Sequence, residues 1–161
     1  QEYGKYFNLP TTCLRAGCLT GSKHSAVQLH GFLNYLARIA IHDQEYTIIG
    51  YRGKQVRDQI HSSDVIKAIA MIIESPKAGA VYNLGGGKDN SVSVLECIDI
   101  LERKLERKVK ISFLDTPRTG DHQCYYSDLR KFKADYPRWD ITLSVEQIID
   151  EIITSEREIS G

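Results

Sequence analysis

The chain reads as an α/β protein, and three stretches carry that reading. Ala80-Val81-Tyr82-Asn83-Leu84 is a buried-strand run that passes into Gly85-Gly86-Gly87 and then into a helix with a capping signal. Tyr46 to Ile49 is a second strand candidate, followed by a basic turn and an apolar helix pattern at Val65, Ile66, Ala68, Ile69, Met71, Ile72 and Ile73. Thr11 to Ala16 is a third, β-branched and apolar, and it feeds the polar, glycine-containing loop Gly17 to Ser25. Strand, turn and helix in repeated succession predict a sheet covered by crossover helices.

At 161 residues the chain can bury roughly two thirds of its surface in one compact unit. Lys plus Arg and Asp plus Glu stand at 21 each, so no global field points to nucleic acid or to an anionic membrane, and any phosphate binding must be local. Cys13, Cys18, Cys97 and Cys124 form no C-x-x-C pair and suit a reduced, cytoplasmic setting. No stretch approaches the length of a membrane span, and the first residues show no signal-peptide pattern.

Taken in order, Gln1 to Phe7 reads as the last turns of a helix, with Asn8 in the left-handed closing position and Pro10 forbidding continuation. So short a piece nucleates poorly by itself, which leads us to expect residues upstream of Gln1. Val27 to Ile41 carries apolar residues near helical spacing and predicts an amphipathic helix. Gly50 to Ser63 is expected to be a basic loop at a cleft, with Asp64 as N-cap of the next helix. Ser93-Val94-Leu95-Glu96 is a capping box opening a helix to about Arg107. Val109 to Leu114 is a strand, Thr116 to His122 a second arginine-bearing turn, and Leu129 to Tyr136 a short helix. Ser144-Val145-Glu146-Gln147 caps a final helix.

Lys54 and Arg57 can set two cations at the cleft, and a guanidinium forks naturally onto diphosphate oxygens; the alternative is a solvated turn with Asp58 pairing locally. Arg118 is open to the same two readings. Gly85-Gly86-Gly87 lacks the G-x-G-x-x-G spacing of a dinucleotide site and reads as a tight turn. The five histidines form no H-E-x-x-H and no Cys/His cluster, so no metal is expected. His61 is either an acid/base group or a satisfied residue at a helix start. Nothing adjacent to Cys18 lowers its pKa, which argues against a nucleophile there.

Three ordered motifs sharpen this: Gly50 with Val56 to Asp64, Val81-Tyr82-Asn83-Leu84-Gly85, and Arg118-Thr119-Gly120-Asp121. So arranged, they resemble the C-terminal half of the extended short-chain dehydrogenases, the NAD-dependent nucleotide-sugar epimerase/dehydratase family. Cys18 to Gly21 and Gly53 to Asp58 look most like its CDP-paratose (CDP-tyvelose) 2-epimerase branch. The resemblance implies late strands and helices of a Rossmann-type parallel sheet, drawn from about 1–24 and 55–105. It implies a small α/β substrate-binding domain from about 25–54 and 106–161, with the N-terminal Rossmann half absent. It also implies NAD as cofactor, a nucleotide-diphosphate sugar as substrate, and a cytoplasmic, often dimeric enzyme.

Carried over by position, Arg57 and Arg118 match the pair that clamps the diphosphate, and Asp121 a residue that meets the ribose. Thr47 and Ile49 fall on the strand lining the base, and His30 where a helix approaches the sugar nucleotide. Ala16, Gly17 and Cys18 follow the strand that passes the nicotinamide; many members have Asn where Cys18 stands, so a polar contact there is lost. The family's Gly-rich NAD turn and Tyr-x-x-x-Lys pair belong upstream of Gln1. Tyr3 and Tyr6 are followed four places on by Phe7 and Pro10, so neither rebuilds the pair. The resemblance therefore implies an epimerase whose substrate grip lies here and whose catalytic Tyr and Lys do not, leaving this piece inactive alone. A 4,6-dehydratase or decarboxylase of the same family, or a non-catalytic sugar-nucleotide binder, is the alternative. Residues 1–161 alone are expected to fold poorly, because strands 11–16 and 81–84 should belong to a sheet centred upstream. Thermal denaturation should be broad and weakly cooperative, whereas a sharp transition contradicts this.

Overall fold

The computed structural model describes residues 1–25, 27 and 31–160, and its strand β4 (Val56–His61) is the hub. On one edge β4 pairs in parallel with β2 (Cys18–Thr20), Cys18 lying opposite Gln59. Its first residues pair antiparallel with β6 (Ser91–Ser93) and parallel with β8 (Cys124–Tyr125). Two further parallel pairs flank this unit: β1 (Thr12–Ala16) with β5 (Ala80–Leu84), and β3 (Glu45–Ile49) with β7 (Lys110–Leu114). Three helices lie between strands in the chain, α2 (Phe32–Ile41), α3 (Ser62–Glu74) and α4 (Val94–Leu105), while α1 (Glu2–Phe7) precedes the first strand and α5 (Arg130–Asp135) and α6 (Val145–Ser160) follow the last.

Two apolar clusters hold these layers. One joins Leu33 and Leu36 of α2, Ile48 of β3, Leu101 of α4 and Ile148, Ile149 and Ile152 of α6. The other joins Ile60, Ala68, Tyr82 and Leu84 to Phe132, Tyr136 and Trp139. In the second, Phe132 meets Tyr82 and Trp139 edge-on, with ring centroids 5.2 and 4.9 Å away. Each fully buried Leu, Ile or Phe contributes about 1.5–3 kcal/mol, so these two clusters dominate the favourable side of folding.

Several local expectations hold at the level of single atoms. Asn8 ends α1 in the left-handed conformation, at φ 51 and ψ 31. The Ser93 hydroxyl accepts from the Glu96 amide while the Glu96 carboxylate accepts from the Ser93 amide, completing the capping box. Ser144 and Gln147 make the same reciprocal pair at the start of α6.

Other expectations need correcting. The loop expected over 50–63 contains a single 3-10 turn (Tyr51–Gly53) and then β4, whose Asp58, Gln59, Ile60 and His61 are buried. Polar letters hid this strand, because buried polar groups with fixed partners look like a loop in the sequence. The polar loop 17–25 likewise contains β2. The helix expected from Val27 begins at Phe32, after Gly31 at φ 74, and Val27 is exposed. His61, not Asp64, caps α3, its Nδ1 accepting from the Ser63 amide at 3.2 Å. The apolar pattern of α3 is only half buried: Ala68 and Ile72 pack inward, while Ile66, Ile69 and Ile73 are exposed.

Asp64 does more than a cap. Its buried carboxylate accepts from the Thr142 amide and hydroxyl at 2.9 and 2.5 Å and from Lys67 Nζ at 3.0 Å, tying α3 to the chain that leads into α6. Burial pushes its pKa up, but the bonds from Thr142 and Lys67 outweigh it and hold the carboxyl below its ordinary value. A depressed folded pKa stabilises above the unfolded value, about 3.9, and that contribution is lost as pH falls through the folded value. Asp64→Asn should therefore cost roughly 1–3 kcal/mol at neutral pH and flatten the acid limb of a denaturant-measured stability curve. Curves for the two proteins that run parallel into acid contradict this role.

Candidate functional site

A cavity of ≈ 540 Å³ opens where the C-terminal end of β1, β2, β3 and β4 converge. Ligands bind outside the carboxyl ends of strands in open α/β sheets, so the place itself is suggestive. Ala16, Gly17 and Cys18, Thr47 and Ile49, and Arg57, Arg118 and Asp121 all line it. The fold thus gathers at one cavity the eight described residues to which the family resemblance assigned a binding role. His30, the remaining one, lies outside the described residues.

Arg57 is the best-anchored cation there. It projects from β4, its Nη1 donates to the Val56 carbonyl at 2.7 Å, and its Nη2 donates to Asp121 Oδ1 at 2.7 Å and to the His122 carbonyl. Arg118 Nη2 lies 3.9 Å from the same Asp121 oxygen. One carboxylate oxygen therefore has two cavity-lining guanidiniums beside it, one from β4 and one from the 116–122 turn. The loop that carries Arg118 is tied to the 3-10 turn, since Tyr51 Oη donates to the Asp121 carbonyl at 3.2 Å. Gly50, at φ 68, lets Pro117 approach to 2.7 Å of where a Cβ would stand, so a side chain at this position would push the two turns apart.

Thr47 lines the cavity, and its Oγ1 lies 3.1 Å from Ser112 Oγ on the paired strand β7. Gln55 Nε2 donates to the Ile49 carbonyl at 3.1 Å and fixes the end of β3. Lys54, considered with Arg57 from the sequence, is not among the residues lining the cavity. Burial and the Asp58 carboxylate push the Cys18 thiol up, against weaker opposite effects of Arg57 and Gln59. Cys18 is consequently a neutral thiol at physiological pH and a poor nucleophile.

Sequence reasoning missed Asp58. Rather than pairing locally on a turn, it is fully buried, and its Oδ2 accepts from the amides of Gly87 and Ser127 at 3.1 and 2.9 Å. The glycines around it make room: a Cβ at Gly17 would stand 2.6 Å from Asp58 Oδ1, and one at Gly85 2.3 Å from Oδ2. The triple glycine is a structural turn packed on this carboxylate. His61 also belongs to the scaffold, its Nε2 lying 3.0 Å from Glu151 Oε2, whose other oxygen accepts from the Ser22 amide and hydroxyl at 3.2 and 2.6 Å. Among the described residues there is no group of three or more His, Cys, Asp or Glu that can hold a metal, and no helix long and apolar enough to cross a membrane.

With this geometry in view, residues 1–85 match the model of the NAD dependent epimerase/dehydratase family. The chain is 29% identical over 138 residues to CDP-paratose 2-epimerase of Salmonella typhi, covering 81% of this chain and 40% of the relative. It is 28% identical over 120 residues to dTDP-glucose 4,6-dehydratase of Xanthomonas campestris pv. campestris, covering 68% and 34%. The fold superposes on UDP-glucuronic acid 4-epimerase of Bacillus cereus, solved with UDP-glucuronic acid and NAD, at a TM-score of 0.82 and 24% identity, over 98% of this chain and 48% of that one. The chain spans less than half the length of each of these proteins. A model matched over more than half of the residues, on a Rossmann-type α/β fold, makes this chain a member of the NAD dependent epimerase/dehydratase family.

Proposed function

We propose that the whole protein is an NAD-dependent nucleotide-sugar epimerase and that this chain supplies its substrate grip. The observation that carries the reading is the pair Arg57 and Arg118, drawn to one carboxylate at the mouth of a cavity whose far wall is a strand end. Two guanidiniums so placed suit a diphosphate, which accepts forked, charge-assisted hydrogen bonds. In this reading Thr47 and Ile49 face the base, Asp121 stands near the ribose, and Ala16, Gly17 and Cys18 form the wall beside the nicotinamide. The residues present fit such a cofactor. Gly17 adds no side chain to that wall, and Cys18 is small and neutral, so a flat, uncharged ring meets neither a protrusion nor a charge.

The chemistry that NAD supplies when bound is the reversible acceptance of hydride from a sugar carbon, which allows return to the other face. This chain's part is to hold the diphosphate while the sugar turns, so that inversion does not release the substrate. The acid/base pair that moves the hydroxyl proton belongs, in this proposal, to another part of the whole protein. The likeness to CDP-paratose 2-epimerase supports a CDP-sugar inverted at C2. The likeness to a dTDP-glucose 4,6-dehydratase favours a second reading, dehydration within the same grip. Turnover of CDP-sugars without net loss of water separates the two, and binding with no turnover points to a non-catalytic sugar-nucleotide binder.

In the full-length protein, Arg57→Ala should weaken binding of the nucleoside diphosphate by about 1.5–3 kcal/mol, the value of a hydrogen bond to a charged group. Isothermal titration calorimetry measures it, and unchanged affinity removes Arg57 from the site.

A further inference from the structure

We infer that Asp121 is a positioning residue, whose carboxylate fixes the plane of the Arg57 guanidinium and draws Arg118 beside it. This inference rests on the reading of the cavity as a diphosphate site and deepens it. Arg57 has five N–H donors, and three are spent on Val56, Asp121 and His122, which leaves two on a side chain that lines the cavity. Val56 and His122 offer backbone carbonyls; Asp121 alone of the three offers a charge. Its side chain is 9% exposed, so its attraction for Arg57 at 2.7 Å is little screened by water. Without that carboxylate the guanidinium keeps its charge and loses its fixed orientation, and the aim of its remaining Nε–H and Nη1–H donors depends on that orientation.

The charge count leads the same way. Two arginines and one aspartate leave a single net positive charge at the mouth, which attracts a diphosphate without holding it irreversibly. The carboxylate also keeps two like charges close together before any ligand arrives, so the cost of assembling them is met in folding instead of binding. A role at the ribose alone explains neither the 2.7 Å bond to Arg57 nor the 3.9 Å approach of Arg118 to the same oxygen.

A double-mutant cycle in the full-length protein decides the matter, with affinities measured for the tightest of CDP, UDP and dTDP and for its parent nucleoside. Asp121→Asn should weaken the diphosphate roughly tenfold, as expected for loss of one well-oriented charged hydrogen bond, and weaken the parent nucleoside, which meets Asp121 only at the ribose, by clearly less. In an Arg57→Ala background the same substitution should have a clearly smaller effect on the diphosphate, because the part of its action that passes through Arg57 is already gone and only its hold on Arg118 remains. Effects that add in full, or an equal loss for diphosphate and nucleoside, overturn the inference and return Asp121 to the ribose. If Asp121→Asn does not fold, Asp121→Glu serves instead. One added methylene displaces the guanidinium, so diphosphate affinity should again fall by more than nucleoside affinity. Failure of the unsubstituted protein to bind any of the three diphosphates overturns the site reading itself, a different result from additivity in a protein that binds.

Discussion

The buried carboxylate of Asp58 is the constraint from which the site follows. A charge taken wholly out of water must be met by donors, and here two backbone amides, from Gly87 and Ser127, meet one of its oxygens. That requirement brings the glycine turn after β5 and the segment after β8 onto the middle of β4. Glycine is needed at positions 17 and 85 because the carboxylate occupies the space a Cβ would take. With β4 so fixed, the neighbouring residue Arg57 has a defined origin, and its guanidinium reaches Asp121 and His122 on the loop that bears Arg118. The carboxylates of Asp58 and Asp121 thus work in series, one placing a strand and the other placing the guanidinium that this strand carries beside Arg118.

Under the proposed reading, a chain with no net charge holds an anion through local geometry. The 21 acidic and 21 basic residues balance overall, so long-range steering is weak and binding depends on geometry at close range. Surface pairs such as Arg130 with Asp128 are screened and carry little of this. The partly buried pair of Arg57 and Asp121 lies at the cavity instead, where water competes less. Thr47 adds an uncharged polar group to the lining of the same cavity.

Much of the fold was legible where local chemistry decides conformation. Asn8 before Pro10, the Ser93 and Glu96 capping box, and the apolar runs at 46–49 and 80–84 all specify their structure within a few residues. Legibility failed where tertiary partners decide. β4 looked like a loop because Asp58, Gln59 and His61 are polar, and only distant amides and Glu151 make their burial tolerable. The short β2 was hidden for a related reason, since its strand character comes from pairing with β4. Periodicity correctly placed α3 yet overstated its burial, leaving Ile66, Ile69 and Ile73 exposed. At the site, Arg57 and Arg118 were legible through an ordered set of motifs, whereas the link between them through Asp121 required three dimensions.

The most direct test of the account is a crystal structure of the full-length protein with a CDP- or UDP-linked sugar. The account predicts the diphosphate within hydrogen-bond reach of Arg57 and Arg118, with the base toward Thr47 and the sugar toward Ala16, Gly17 and Cys18. A diphosphate seated elsewhere, for example against the turn at Gly86, Gly87 and Lys88, would contradict it.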